Sequence, residues 1–207
     1  IKAMPHDGIH SVTVPGAVEG WSEAHKRFGR LPWKDLFSQA IDYARHGYAV
    51  PEMIHAYWMA EAEKMGRTAE ARRVFLPGGK TPEVGDRFVN PDLAGALMLI
   101  AGQGRDAFYK GAIAQAMVQT SAAFGGTLQA DDLAEFAAEW VEPISIDYRG
   151  WKVYELPPNV QGMAALEMLN IMETSQPDQD GPQGVAELHK KIEAMKLAYS
   201  DLYRYNA

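Results

Sequence analysis

The clearest hydrophobic pattern is a pair of short runs, residues 143–148 and 151–155, in which apolar and polar residues alternate. A period of two places successive side chains on opposite faces of an extended chain, so both runs are predicted to be β-strands. Arg149 and Gly150 separate them, and a two-residue connection with Gly second is typical of a β-hairpin. Because a lone two-stranded ribbon is marginal in water, we expect this hairpin, near residues 143–156, to belong to a larger sheet that lies mostly outside this chain.

Most of the remaining chain has the three- and four-residue spacing of amphipathic helices. Gly and Pro separate these segments, which predicts a compact helical layer with short connections. In the last helix we expect one apolar stripe to pack along its whole length and to be buried against the body of the enzyme. The helices are predicted at residues 17–28, 32–46, 51–65, 90–102, 112–123, 131–136, 163–172 and 185–202, and the stripe consists of Val185, Leu188, Ile192, Met195, Tyr199 and Leu202.

Three segments carry more specific local predictions. Residues 10–14 alternate briefly and are expected to form an edge strand that ends at Pro15. Gly29 stands where a left-handed residue would end the first helix. Residues 75–90 are rich in Gly and Pro and show no periodicity, so they are expected to be a loop.

Composition excludes several classes of partner. There are 27 acidic and 20 basic residues, a formal charge of −7, and the basic ones are scattered, so neither nucleic acid nor an anionic membrane is an expected partner. No apolar run approaches the roughly 18 residues of a membrane span, and Ile1 does not begin a signal peptide. Because native chains begin with Met, Ile1 suggests processing or truncation. The absence of cysteine excludes disulfides and thiolate metal sites and leaves the compartment open.

The histidines suggest little chemistry. His6, Asp7 and His10 could form a metal site, but Gly8 disfavours the helix that two histidines four residues apart would need, so a polar terminal segment is the preferred interpretation. Four further histidines lie on or near predicted helices without a paired nucleophile or metal-spaced carboxylates. They are expected to pack or cap, and they are His25, His46, His55 and His189.

Two glycine-containing segments are candidates for a phosphate-binding loop and for a nucleophile. Residues 102–105 follow a helix and lack the third glycine and the lysine of a phosphate-binding loop, so a turn is preferred. Thr127 follows two glycines, as an autocleaved N-terminal nucleophile can, but nothing else marks it and a helix stop is preferred. We therefore assign no catalytic, cofactor-binding or metal-binding residue within residues 1–207.

A series of short runs extends in a consistent order over almost the whole chain. The runs lie at residues 11–21, 30–33, 44–48, 75–79, 85, 90–94, 100–101, 107–111, 125–126, 132–133, 147–150, 156–158, 161–162 and 193–199. Together they resemble the gamma-glutamyltransferases, also called gamma-glutamyltranspeptidases, and residues 157–162 resemble the bacterial acylase-like branch. Gln129 departs from the Ser or Thr usual before the helix that follows, which is expected to weaken its N-terminal cap.

The resemblance implies an α+β fold, namely part of the αββα sandwich of an N-terminal nucleophile hydrolase. Residues 1–207 would be a single partial domain of the large subunit. It further implies a precursor that cuts itself, after which the new N-terminal Thr of the small subunit attacks a gamma-glutamyl or similar amide such as glutathione. No cofactor is implied. The arginine that pairs with the substrate carboxylate in the family belongs to a run upstream of Ile1, so Arg27, Arg30 and Arg45 receive no role.

Two alternatives remain open at this point. The same scaffold could act as an acylase on another carboxylated amide, or the chain could be a helical scaffold without chemistry of its own. The flanking sequence would distinguish these possibilities, because only the enzyme needs an upstream arginine and a downstream threonine at a cleavable bond.

Overall fold

The computed structural model describes residues 4–205, which divide into two compact units, residues 4–138 and residues 139–205. The first unit is mostly helical and contains one very short antiparallel ribbon. Its helices are α1 (Ala17–Phe28), α2 (Ser38–His46), α3 (Glu52–Met65), α4 (Ala69–Phe75), α5 (Pro91–Gln103), α6 (Asp106–Tyr109), α7 (Ala112–Ala123) and α8 (Ala130–Ala134), and its strands are β1 (Tyr48–Ala49) and β2 (Arg87–Phe88). Short 3₁₀ turns at Ile9–Ser11, Trp33–Phe37 and Pro77–Gly79 connect them.

Two apolar clusters hold the first unit together. The larger one joins α1, the Trp33–Phe37 turn and α5 to α8 through Val18, Phe37, Ile100, Tyr109, Ala114 and Leu133. The Trp33 indole closes its edge, since Nε1 donates to the Ile100 carbonyl at 2.9 Å. In the smaller cluster Val50, Trp58 and Phe88 are buried, and the Trp58 and Phe88 rings meet edge to face at 4.7 Å between centroids.

The predicted hairpin is confirmed in the second unit as β3 (Ile144–Tyr148) and β4 (Trp151–Glu155). Tyr148 pairs with Trp151, and the two residues between them have φ values of 49° at Arg149 and 85° at Gly150. Positive φ at both central positions is the type I′ turn whose twist matches the flanking strands. The helix α9 (Gly162–Glu173) packs on both strands and on α10 (Val185–Tyr205).

Several helix ends follow the sequence closely. Asn90 caps α5 through Oδ1, which accepts from the Leu93 N–H at 3.0 Å, and Pro91 occupies the first helical position. Gly104 ends this helix with φ 75°. At α8 the side chain within the helix caps the residue before it: Asp132 Oδ2 accepts from the Gln129 N–H at 2.8 Å. A carboxylate in the first turn therefore satisfies a backbone donor even though residue 129 is neither Ser nor Thr.

Two local predictions are wrong, and a third is incomplete. Residues 10–14 do not form a strand, because the Ser11 N–H bonds to the Gly8 carbonyl and tightens Ile9–Ser11 into a 3₁₀ turn. Gly29 does end α1, but at φ −65°; it is needed for space, since a Cβ there would lie 2.3 Å from the His25 ring. The segment of residues 75–90 contains the Pro77–Gly79 turn and β2, which a periodicity argument cannot detect in two residues.

The apolar stripe of α10 is only partly covered within this unit, and its burial against the rest of the enzyme stays a prediction. Leu188, Ile192 and Met195 are 44%, 50% and 42% exposed, whereas Ala194 and Ala198 are 1% exposed. Small side chains let two helices approach closely, so α9 meets α10 on the alanine face, where Ala164 is buried as well. Leu202 near the end of α10 is buried in the same contact, whereas Leu188, Ile192 and Met195 stay partly exposed. A cost of about 2–5 kcal/mol, appropriate to truncating an enclosed Ile192, therefore does not apply within the unit.

The α1 helix also leaves its largest apolar residues partly exposed. Trp21 is 48% exposed and Phe28 is 65% exposed, whereas Val18, Glu19 and Ser22 are buried. In the α9 helix, Ala164 and Leu166 are buried, and Met168 packs against that core as expected. Within residues 4–205, none of the helices is long and apolar enough to cross a membrane.

Candidate functional site

The most connected polar cluster of the first unit is centred on Arg105, directly after the glycine that ends α5. Its Nε donates to Glu19 Oε2, its Nη1 donates to Asp106 Oδ1 at 2.9 Å, and its Nη2 donates to the Phe136 carbonyl at 2.5 Å. Arg105 has a side chain only 18% exposed, and Glu19 is 6% exposed. One guanidinium therefore connects α1, α6 and the end of α8.

Tyr109 completes this cluster from the same turn of chain. Its hydroxyl donates to the Pro15 carbonyl at 2.7 Å and accepts from the Glu19 N–H at 3.1 Å. The Arg105 guanidinium carbon lies 4.5 Å from the centre of the tyrosine ring, and Phe136 stacks on that ring at 5.8 Å. With Tyr109 1% exposed, these contacts hold the turn before α1 against α6.

The hydrogen bonds of the cluster stabilise the charged forms of Arg105 and Asp106. Burial opposes the charge of Arg105, but its hydrogen bonds with Glu19 and Asp106 outweigh that cost, and the pKa of the guanidinium is raised. The hydrogen bond from Arg105 lowers the pKa of Asp106, and burial raises the pKa of the Tyr109 phenol. Each group is thus held in its ordinary protonation state and already has a partner. These contacts connect the turn before α1, the start of α6 and the segment after α8.

The histidines considered from the sequence are dispersed. His25 Nε2 lies 2.8 Å from the Leu31 carbonyl, His46 Nδ1 lies 2.7 Å from Asp42 Oδ1, and His55 Nδ1 lies 2.7 Å from the Pro82 carbonyl. His189 is exposed on α10. These contacts fit the packing and capping roles predicted for them.

The terminal His-Asp-His segment is drawn into other contacts. His6 and His10 are exposed, and Asp7 Oδ2 accepts from Arg67 Nη1 at 2.7 Å. Across residues 4–205, no group of three or more His, Asp or Glu side chains is arranged to hold a metal ion. The carboxylate of this segment serves as a surface ion pair.

The two glycine-containing segments lie at helix ends. Gly102 is within the last turn of α5, and Gly104 and Arg105 lead into α6 rather than around an anion. Thr127 is exposed between α7 and α8, inside the chain. Arg45 points its Nη2 at Met98 Sδ, 2.7 Å away. Sequence reasoning did not single out the Arg105 cluster, because its central ion pair joins residues 86 positions apart and leaves no local pattern.

The second unit has one carboxyl group in an unfavourable environment. Glu167 Oε2, on α9, is buried without a hydrogen-bonding partner among residues 4–205. Burial raises the pKa of Glu167, and the negative charge of Asp201 on α10 raises it further. Glu187, 5% exposed, is better satisfied, because its Oε2 accepts from the Asp178 N–H at 3.1 Å. The Glu187 contact thereby holds the segment before α10 against that helix.

Comparison with known proteins identifies the scaffold. The family model described as gamma-glutamyltranspeptidase matches residues 1–206. The chain belongs to the gamma-glutamyltranspeptidase family. A glutathione hydrolase-like YwrD proenzyme from Bacillus subtilis is 38% identical over 201 residues, 97% of this chain and 38% of the relative. The chain therefore spans well under half the length of this curated relative of the family.

Solved structures of the gamma-glutamyltranspeptidase family superimpose closely. Cephalosporin acylase from Bacillus halodurans has a TM-score of 0.90 and 40% identity, covering 98% of this chain and 38% of that chain. The gamma-glutamyltranspeptidase of Helicobacter pylori has a TM-score of 0.92 and 29% identity, covering 99% and 59%. The α+β class and the N-terminal nucleophile hydrolase fold implied by the sequence are confirmed.

The runs that carry the family resemblance lie mostly at turns and helix ends. Asn90 and Pro91 start α5, Arg149 and Gly150 form the hairpin turn, and Gly79 has a φ of 86° after α4. Such positions need particular backbone conformations, which restricts the residues that can occupy them. This segment therefore resembles other gamma-glutamyltranspeptidases at positions that shape the backbone.

Proposed function

We propose that this chain is part of the large subunit of an amidohydrolase or acyltransferase that cleaves gamma-glutamyl amides such as glutathione. The observation that carries the proposal is the family match over residues 1–206, together with a relative named as a glutathione hydrolase-like proenzyme. We infer that the nucleophile is an N-terminal Thr outside this chain. No residue of this chain is given a catalytic role.

The chemistry follows from a threonine with a free α-amine. The amine takes the hydroxyl proton while the oxygen attacks the amide carbonyl carbon, and the departing amine leaves with a proton as an acyl ester forms. Water or an acceptor amine then attacks the ester and restores the threonine. Neither step needs a cofactor.

The role of this chain is to support and position the nucleophile-bearing subunit. The proposed partner is the Thr-led small subunit from the same precursor, and the word proenzyme in the relative's name supports a precursor. In the second unit, Trp151 is 76% exposed and Ile192 is 50% exposed, and apolar surface of this kind favours coverage by further protein. We propose that residues 1–207 are a partial domain whose sheet is completed by that remainder.

The second candidate is an acylase acting on another carboxylated amide. It is favoured by the 40% identity to cephalosporin acylase from Bacillus halodurans, compared with 29% to the Helicobacter pylori enzyme. The two activities differ in whether the acyl group carries an α-amine. A purely structural role for the chain has no comparable support.

The test uses the full-length protein that contains this chain. Turnover of gamma-glutamyl-p-nitroanilide is expected, and glutaryl-p-nitroanilide, which lacks only the α-amino group, tests the acylase alternative. Replacing the threonine that becomes N-terminal by Ala should abolish both turnover and self-cleavage.

The isolated 207-residue chain serves as the complementary sample and should be inactive on both amides, since it has no N-terminal nucleophile. Activity in this chain that disappears in Thr127→Ala or a histidine variant would contradict the proposal. Absence of turnover by the full-length, self-cleaved protein on both amides would contradict it as well.

A further inference from the structure

A cleft of about 460 Å³ opens in the first unit beside the start of α5. Its walls come from α4, the segment after the Pro77–Gly79 turn, β2 and the first residues of α5. Val74, Pro82 and Phe88 supply an apolar wall, and Arg73, Lys80 and Arg87 supply cations. A cleft of this size is large enough for a small organic molecule.

The charges of the cleft are unbalanced. Of its two carboxylates, Asp92 forms an ion pair with Arg73, whose Nη2 donates to Asp92 Oδ2 at 2.5 Å, whereas Asp86 Oδ2 accepts from the neutral Glu83 N–H, at 2.9 Å. In the described part of the chain, Lys80 and Arg87 have no ion-pair partner. With Arg73 paired to Asp92, the Lys80 and Arg87 cations outnumber the remaining Asp86 carboxylate, so the cleft has a net positive charge in a chain whose net charge is −7.

The stem of Arg87 is held in place by its neighbours. Arg87 pairs with Ala49 in the β1–β2 ribbon, and the backbone of Gly47 approaches it so closely that a Cβ there would lie 2.7 Å from Arg87 Cγ. Packing of this kind lowers the entropy that the side chain loses when it binds a ligand.

A buried hydroxyl adds a third polar group. Thr81 lines the cleft, is 6% exposed, and donates from Oγ1 to Met59 Sδ at 3.1 Å. A thioether is a weak acceptor, so the Thr81 hydroxyl would form a stronger hydrogen bond with an anionic oxygen.

We propose that this cleft binds a small organic oxyanion, a carboxylate or a phosphate ester attached to an apolar body. Lys80 and Arg87 pair with the anionic group, the Thr81 hydroxyl donates to it, and the body lies against Phe88 and Val74. The proposal goes beyond the amide chemistry proposed above and does not depend on it.

The experiment is calorimetric titration of the full-length protein that contains this chain. The probes are hexanoate and hexyl phosphate, which share an apolar body and differ in the oxyanion, with hexanol and inorganic phosphate as partial ligands. The tighter of the first two identifies the anionic group, and both partial ligands should bind more weakly. Raising the salt concentration should weaken binding of the charged probes but not of hexanol.

Three variants test whether the probes bind in the cleft or are attracted to any exposed positive charge. Arg87→Gln and Lys80→Gln should each weaken binding by about tenfold or more, the effect of a charge-assisted hydrogen bond. Lys34→Gln is the matched control, because Lys34 is also exposed in this unit and has no ion-pair partner among the described residues. It should leave the affinity unchanged.

Three outcomes would overturn the proposal. The first is no binding of either six-carbon anion to the wild-type protein at about 10 mM, a concentration that detects even weak sites. The second is equal weakening in Lys34→Gln and Lys80→Gln. The third is unchanged affinity in both cleft variants; two independent substitutions keep this outcome measurable if one of them impairs folding.

Discussion

Removal of the Arg105 guanidinium should be among the most destabilising single changes in the first unit. The Arg105→Met variant keeps an unbranched side chain as far as the position of Nε and deletes the charged guanidinium group. Glu19, 6% exposed, would then retain a buried carboxylate without its cation, and the Phe136 carbonyl would lose its donor. Breaking a buried pair from one side costs about 3–5 kcal/mol, and the 18% exposure of the arginine side chain places our expectation near the lower value.

A double-mutant cycle isolates the ion pair within that loss. Glu19→Gln removes the charge that Arg105→Met would leave unpaired, so the double variant should be more stable than Arg105→Met alone. The control on the same helix is Lys26→Met, which removes the exposed pair between Lys26 and Glu23 and should cost less than about 1 kcal/mol.

Amide hydrogen exchange in the full-length protein is the suitable measurement, because it reports stability locally. Protection of the Glu19 amide, which donates to the Tyr109 hydroxyl, and of the α6 amides should fall in Arg105→Met and partly recover in the double variant. The reasoning fails if Arg105→Met loses no more protection than Lys26→Met, or if the two single effects simply add.

Two further predictions concern the second unit. Gly150→Val forces a β-branched residue to φ 85° and should lower stability by about 1–3 kcal/mol, with Gly150→Asn less costly; a thermal melt of the valine variant that coincides with wild type would contradict this. Glu167 has a raised pKa in the folded state, so the folded protein binds its proton more tightly and stability is lost as pH rises through that pKa. The melting temperature of Glu167→Gln minus that of the wild type should therefore increase as pH rises from about 4, near the unfolded pKa, to 7. A difference that stays constant over this range would contradict a raised pKa at Glu167.

Local chemistry explains which predictions from the sequence succeeded. The hairpin turn at Arg149 and Gly150, the cap at Asn90 and the helix stop at Gly104 each depend on residues within a few positions of one another. The family resemblance rests on the same kind of residue, and the comparisons confirm it. That no residue of this chain is catalytic stays a prediction.

Burial on individual helices could not be read from the sequence in the same way. The pattern of α10 correctly predicted a helix, but it did not predict that the alanine face would pack on α9, because a stripe of large apolar residues does not reveal which neighbour will cover it. Ala194 and Ala198 are buried since they permit close approach, and Ile192 remains half exposed. The two-residue ribbon formed by β1 and β2 is likewise too short to leave a periodic signal.

By itself, the sequence determined most of the longer helices, the hairpin and the family, since caps, turns and ordered runs are properties of neighbouring residues, but it missed the short helices α4 and α6. Only the tertiary structure brought Glu19 to Arg105, and Lys80 and Arg87 to one cleft. The physical reason is that an ion pair or a cleft depends on distance in space. Two side chains 86 positions apart in the sequence share no local pattern from which their contact could be predicted.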